Sequence, residues 1–302
     1  MAKLENAAKI DPLLGIVFRD LRNAKGFTQK DAAGSCLSLS IVSRFESGKA
    51  SISAHHFFQI LGNICTNMYE FQYSYEQHLD SKNILLFDTE LSQAYMEHNV
   101  IKLKIILERL SSDFENDSGN IAAPKKKMLD IIRVKTLIAT LEPSFPILES
   151  ERNFLINYFR ELKEWGQYDI LLLGHCVNII DTTHLYIIGR DMINPKQSLI
   201  KLHYVKHSLI QTMINIIGVL IDSGDFIYAD TFISYLDKSD IHEYYMYEKL
   251  TLIYNKAMLS YKKGDSTALT TLEKCKEILI FCDCLKTANM VDHELSELPP
   301  LT

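Results

Sequence analysis

The sequence predicts an all-α chain, a small head of short helices followed by a long body of helical hairpins. Three observations carry that prediction. Apolar residues recur at spacings of three and four along almost the whole 302-residue chain, and from about Ser81 onward no useful length alternates as a strand would. Seven prolines and twelve glycines suit long helices better than a turn-rich β-sandwich. Two glycine breaks also resemble each other, Leu220-Ile221-Asp222-Ser223-Gly224-Asp225 with Ala229, and Tyr261-Lys262-Lys263-Gly264-Asp265 with Ala268. Their glycines stand forty residues apart, a period typical of stacked helix pairs.

Within the head, Leu14, Val17, Phe18 and Leu21 form the apolar stripe of a first helix over Asp11 to Lys25, stopped by Gly26. Thr28 caps a second helix, with Asp31 three residues on in the place where a capping box would use Glu, and Gly34 ends it. Ser38 caps a third helix, with Ile41, Val42 and Phe45 facing inward, which ends at Gly48. Ser53 opens a fourth through Phe57, Phe58, Ile60 and Leu61, and a fifth runs from about Asn67 with Tyr69, Phe71, Tyr73 and Tyr75. Five short helices with a tight break between the second and third make a helix-turn-helix domain, whose third helix enters the major groove of DNA.

Charge agrees with that division. Residues 1–66 hold eight Lys or Arg against five Asp or Glu, net +3, so the remainder carries −9 of the overall −6. A basic head on an acidic body is expected where only the head meets a polyanion. With 47% hydrophobic and 23% charged residues the chain is not disordered, and its length allows two domains, expected at 1–75 and 76–302. The longest nearly apolar stretch, Leu209 to Ile221, is interrupted by Gln211, Thr212 and Asn215, so no membrane helix is expected. The N-terminus has acidic and amide residues where a signal peptide needs an apolar run, and the expected location is the cytoplasm.

The six cysteines read as reduced thiols; Cys275, Cys282 and Cys284 lack the paired spacing of a metal site. No HExxH, GxSxG, glycine-rich phosphate loop or paired-carboxylate motif stands out. Hence no catalytic residue, metal or cofactor is expected.

The run Gly26-Phe27-Thr28-Gln29-Lys30-Asp31-Ala32-Ala33, followed by Leu37-Ser38-Leu39-Ser40-Ile41-Val42-Ser43-Arg44-Phe45-Glu46-Ser47-Gly48-Lys49, resembles the lambda-repressor-like (XRE) domain. With Phe57-Phe58, Ile60-Leu61 and Glu70-Phe71 it is similar to the Rgg/GadR/MutR regulators of Gram-positive bacteria. The resemblance implies a transcription regulator of quorum-sensing type, whose tetratricopeptide-like C-terminal solenoid binds short signalling peptides and makes dimer contacts. It extends more weakly into the body, through Phe154-Leu155, Tyr158-Phe159 and Glu164-Trp165-Gly166-Gln167-Tyr168-Asp169.

Chemistry divides the roles. Gln29, opening the second helix, is suited to hold a phosphate. Ser38, Ser40 and Ser43 are short donors that allow close approach of the third helix, and Arg44 reaches a guanine edge or a phosphate. Arg19, Arg22, Lys25, Lys30 and Lys49 supply phosphate attraction, Glu46 an internal salt bridge, and Leu39 and Ile41 core packing. Helical hairpins are expected at about 83–115, 121–164, 167–192, 196–237 and 241–285. One helix of each pair builds a face suited to an extended peptide. Asn178, Gln211, Asn215 and Asn255 offer it amides, Tyr204 and Tyr247 form walls, and Lys206 and His207 meet a C-terminal carboxylate.

The expected function is a homodimer on double-stranded DNA with an inverted-repeat operator, in which bound peptide shifts the heads or their contact with RNA polymerase. The alternative is a DNA-binding regulator whose body takes another effector or a protein partner.

Overall fold

Polar side chains start each helix of the head. Asp11 caps α1 (Pro12–Ala24) by accepting from the Leu13 amide at 2.9 Å, with proline in the first turn, where no amide is needed. Thr28 and Asp31 close a reciprocal capping box on α2 (Gln29–Ala33), and Asn67 and Glu70 close another on α5 (Met68–Gln77). Ser38 and Ser53 cap α3 (Leu39–Glu46) and α4 (Ala54–Asn63). All five helices fall where the sequence puts them.

The chain, seen in a computed structural model, is described over residues 11–78, 84–116, 123–194 and 202–299. Lys3 and Lys9 and the expected break at 117–120 lie outside those residues, as does Pro195. The chain divides into two compact units, one up to Glu97 and one from His98. The first unit includes α6 (Ile84–Met96), so it reaches beyond residue 75, the boundary expected from sequence, and the first expected hairpin is divided between the units.

The head core consists of Val17, Phe18, Ala32, Ala33, Val42, Phe45, Ile60, Leu61, Ile64 and Phe71. Aromatic edges run through it, with Phe57 against Phe71 at 4.7 Å and 82°. Gly15 sets the spacing of α1 on α3: a Cβ there would stand 1.8 Å from the carbonyl oxygen of Phe45, a backbone atom with no freedom to move aside.

The second unit is a stack of helices: α7 (Val100–Asn116) on α8 (Ala123–Leu141), α9 (Glu149–Glu161) against α8, α10 (Gln167–Cys176) between α8 and α12 (His203–Asp222), α11 (Thr182–Met192) against α9 and α12, α12 with α13 (Phe226–Lys238), α14 (Met246–Lys262) with α15 (Ala268–Phe281), and α16 (Leu285–Ser296) on α15. No strand occurs among the described residues. Trp165, fully buried, stacks on Phe159 at 5.4 Å and donates to Asp191 at 2.9 Å. Gly224 and Gly264 end α12 and α14 with φ of +79° and +105°, and the small residues that follow, Ala229 and Ala268, are buried. The forty-residue similarity is therefore one structural repeat, first helix, glycine turn, second helix.

First helices lie side by side, α10 on α12 and α12 on α14. Three polar side chains fasten them by donating to a backbone carbonyl of the preceding first helix: Thr212 to Ile170 at 2.9 Å, Asn215 to Gly174 at 3.2 Å and Asn255 to Ile214 at 3.1 Å. Helix α12 is longer than the apolar stretch within it. By length and composition alone, with mean hydropathy 1.3, it would cross a membrane, yet 61% of that window is buried inside the chain, as befits the central core helix.

The Gly15 contact predicts that Gly15→Ala destabilises the head by about 2–3 kcal/mol or more, since α1 must lift off α3. Hydrogen exchange resolved by segment would show faster exchange in α1 and α3 with the second unit unchanged; unaltered protection would refute the close crossing.

Candidate functional site

The head offers α3 to its surroundings. Val42, Phe45 and Glu46 point inward, while Ser40, Ser43 and Arg44 are exposed, with Lys30 and Lys49 nearby in sequence and also exposed. Among the described residues these five side chains make no hydrogen bond or ion pair, so their donors are open to a ligand. Ser38 is exposed too, but its hydroxyl accepts from the Ile41 amide at 3.3 Å. Leu39 and Ile41 are 50% and 39% exposed rather than packed in the core. An eight-residue helix buries one short stripe, and Ile41 lies at its edge and Leu39 at the helix start.

Four of the residues assigned to phosphate have protein partners instead. Arg22 is buried and donates to both Glu46 oxygens, at 2.6 and 2.9 Å, and to the Phe27 carbonyl at 2.7 Å. It belongs to the scaffold and is withdrawn from the DNA set. Gln29 donates to the same Glu46 at 2.8 Å, joining α2 to α3. Lys25 bonds the Cys65 carbonyl at 2.6 Å and Glu70 at 3.1 Å, holding the end of α1 to the α4–α5 corner. Arg19 pairs with Asp20 at 3.1 Å in partial exposure, an interaction weak enough for a phosphate to displace.

In the second unit a cleft of about 250 Å³ opens on the first helices. Helix α10 gives it Leu171, Gly174 and His175, α12 gives Gln211, Thr212, Ile214 and Asn215, and α14 gives Tyr247, Glu248 and Thr251. His175 accepts from the buried Arg133 of α8, Nε to Nδ1 at 2.7 Å, which assigns its proton to Nε2. Burial, with the Arg133 charge behind it, lowers the imidazole to about 3, so the ring is neutral. Glu248 is buried, and burial pushes its carboxyl up. Hydrogen bonds from His207 at 2.8 Å and Gln211 at 3.0 Å, with its own backbone N–H, more than offset this and hold it below the usual range. His207 in turn stacks on Tyr245 at 4.3 Å and 7°.

Residues 107–293, more than half of the chain, match the family described as the HTH-type transcriptional regulator Rgg, C-terminal domain. The chain belongs to the Rgg family of transcriptional regulators. Its fold is that of the Streptococcus dysgalactiae SHP pheromone receptor Rgg2, with a TM-score of 0.71 at 22% identity over 94% of this chain and 99% of that one. It is also that of PrgX in its complex with cCF10, with a TM-score of 0.66 at 13% identity over 95% of this chain and 92% of that one.

The expected ligand residues of this Rgg-family chain separate into two groups. Gln211, Asn215 and Tyr247 line the cleft, and His207 borders it through Glu248. Asn178 bonds Thr140 at 3.3 Å, Lys206 bonds the Asp240 carbonyl at 2.8 Å, Tyr204 is exposed, and Asn255 is buried against Ile214; none of the four lines the cleft. Lys206 and His207 thus do not form a carboxylate site: one is tied to a loop and the other to an acid. Sequence reading missed His175, Glu248 and Thr251. For His175 and Thr251 the signal was present, because Leu171, Gln211 and Thr251 stand forty residues apart, as do His175, Asn215 and Asn255. Extending the glycine period to the first helices would have brought these positions together.

Arg22→Ala should unfold the head rather than trim DNA affinity, costing about 3–5 kcal/mol by leaving Glu46 buried without its cation. A thermal melt decides this, and a variant that melts with the parent refutes it. His175 gives a pH test. Its folded value lies below its ordinary 6.5, so as pH falls below about 6.5 the unfolded chain takes a proton that the folded chain excludes. Stability drops through that window, by about 2 kcal/mol at about pH 5. His175→Asn, which keeps an acceptor for Arg133, should lose less stability between about pH 7 and about pH 5; parallel curves would count against the neutral ring.

Proposed function

We propose that this chain is a DNA-binding regulator in which residues 1–75 read an inverted-repeat operator as a homodimer and residues 76–302 answer to a short signalling peptide. Ser38, Ser40, Ser43 and Arg44 meet base edges and nearby phosphates, with Arg19, Lys30 and Lys49 adding attraction to the backbone. Gln29 acts from its fixed position on Glu46. The peptide lies along the first helices, in the cleft lined by Gln211, Asn215 and Tyr247.

The observation that carries this reading is the cleft itself. Three successive first helices present side chains of one repeat register, Leu171, Gln211 and Thr251, to one opening, and an opening that crosses several helices suits an extended peptide. Family membership supports the regulator, and the likeness in fold to a protein described as a pheromone receptor supports the peptide. In this mechanism binding favours one arrangement of the paired heads and so changes the operator spacing they span or their contact with RNA polymerase.

Fluorescence anisotropy on DNA from the gene's own upstream region, at two salt concentrations and with or without short apolar peptides, tests it. Tight, salt-dependent binding that a peptide alters is the expected result. Binding indifferent to every peptide would keep the DNA reader and move the body toward another effector or a protein partner. Arg44→Ala should weaken operator binding by about tenfold or more, through loss of ~1–3 kcal/mol, with helical content and melting unchanged. Full affinity at fixed salt would remove Arg44 from the interface.

A further inference from the structure

The cleft is electrostatically uneven. Among its lining residues there is no Lys or Arg, and His175 is held neutral, which leaves Glu248 as the formally charged side chain. That carboxylate is 7% exposed, and both of its side-chain partners, His207 and Gln211, donate to one oxygen, Oε1. Among the described residues no other residue donates to Oε2, and the remaining donor to the carboxylate is the backbone N–H of Glu248 itself. A carboxylate has about four acceptor sites, so these three donors leave capacity, and an N–H cation brought by a ligand fills it in charge and hydrogen bonding together.

The opposite wall has the reverse character. Behind His175 stands the guanidinium of Arg133, 1% exposed, whose Nε donates to the ring, so His175 presents an Nε2–H backed by positive charge. A cation is disfavoured at the α10 wall and favoured at the α14 wall, and a carbonyl or carboxylate oxygen has the opposite preference. The cleft is polarised across its width.

We infer that the ligand carries a cationic group, a free α-amine or a Lys or Arg side chain, that seats on Oε2 of Glu248, and that this contact makes Glu248 the charge-selecting residue of the cleft. The inference rests on the peptide reading above and adds the chemical class of the group at one end of the peptide path. It also fixes polarity, since the cationic group lies at α14 and the oxygen-bearing part of the ligand lies at α10.

The test uses full-length protein immobilised and exposed to synthetic apolar peptides of about eight residues in four forms. One has a free N-terminus and no internal charge; a second is N-acetylated and neutral; the third and fourth are N-acetylated with one internal Lys or one internal Glu. Amine- or Lys-bearing forms should be retained about tenfold more tightly than the neutral form, the scale of one charge-assisted hydrogen bond, and the Glu form least. A gain confined to the free amine assigns the contact to the N-terminus, and a gain confined to the Lys form assigns it to a side chain.

Glu248→Gln should abolish the preference while still retaining the neutral peptide. Because Glu248 also anchors His207 and Gln211, Glu248→Asp accompanies it, keeping the charge and some of the preference; the comparison among peptides on unsubstituted protein needs neither variant. Equal retention of all four forms, or a preference for Glu, would overturn charge selection and leave the peptide reading standing. Retention of none would overturn both.

Discussion

The second unit depends on how its first helices are held together. A packed pair of helices leaves side chains free to slide past one another by a turn, and apolar contacts alone tolerate such slips. Here Thr212, Asn215 and Asn255 each donate to a carbonyl on the preceding first helix, about forty residues back in the chain. Each such bond is worth only about 1 kcal/mol net, but breaking one by a slip leaves a polar group buried without a partner, which costs more. Register between repeats is therefore strongly specified. Once it is, residues forty apart fall into rows across the unit, and one such row, Leu171, Gln211 and Thr251, lines the cleft.

Charge in the head follows the same logic of partner before ligand. Glu46 gathers Arg22 and Gln29 and so joins α1, α2 and α3 through one buried carboxylate. That cluster sets the angle at which α3 stands out from the core, and the exposed Ser40, Ser43 and Arg44 inherit their position from it. Lys25 does comparable work at the corner of α4 and α5. What remains for a polyanion is a smaller set of cations than the composition suggests, concentrated on and around one short helix.

Most of the fold was legible because its signals are local. Caps at Asp11, Thr28, Ser38, Ser53 and Asn67, and the glycines at 224 and 264, act within a few residues of where they stand. Part of the cleft was legible too, since Gln211 and Asn215 are polar residues in an otherwise apolar helix and had to face something. Glu248 was not, because at the start of α14 it reads as an ordinary acidic first-turn residue. Arg22 was misread for a similar reason: on a helical wheel it sits off the apolar stripe, which marks an exposed residue unless another helix covers it.

By itself, then, the sequence determined the helices, their ends, the forty-residue repeat and the resemblance of the head to a known class of DNA reader. Tertiary structure alone decided which charges are committed inward and which face out. The physical reason is range. Helix propensity and capping are settled between residues three or four apart, whereas the pairs that disposed of Arg22, Lys25 and His207 join residues 24, 45 and 41 apart. Such a pairing exists only after packing has brought two helices together, and no local pattern in the chain announces it.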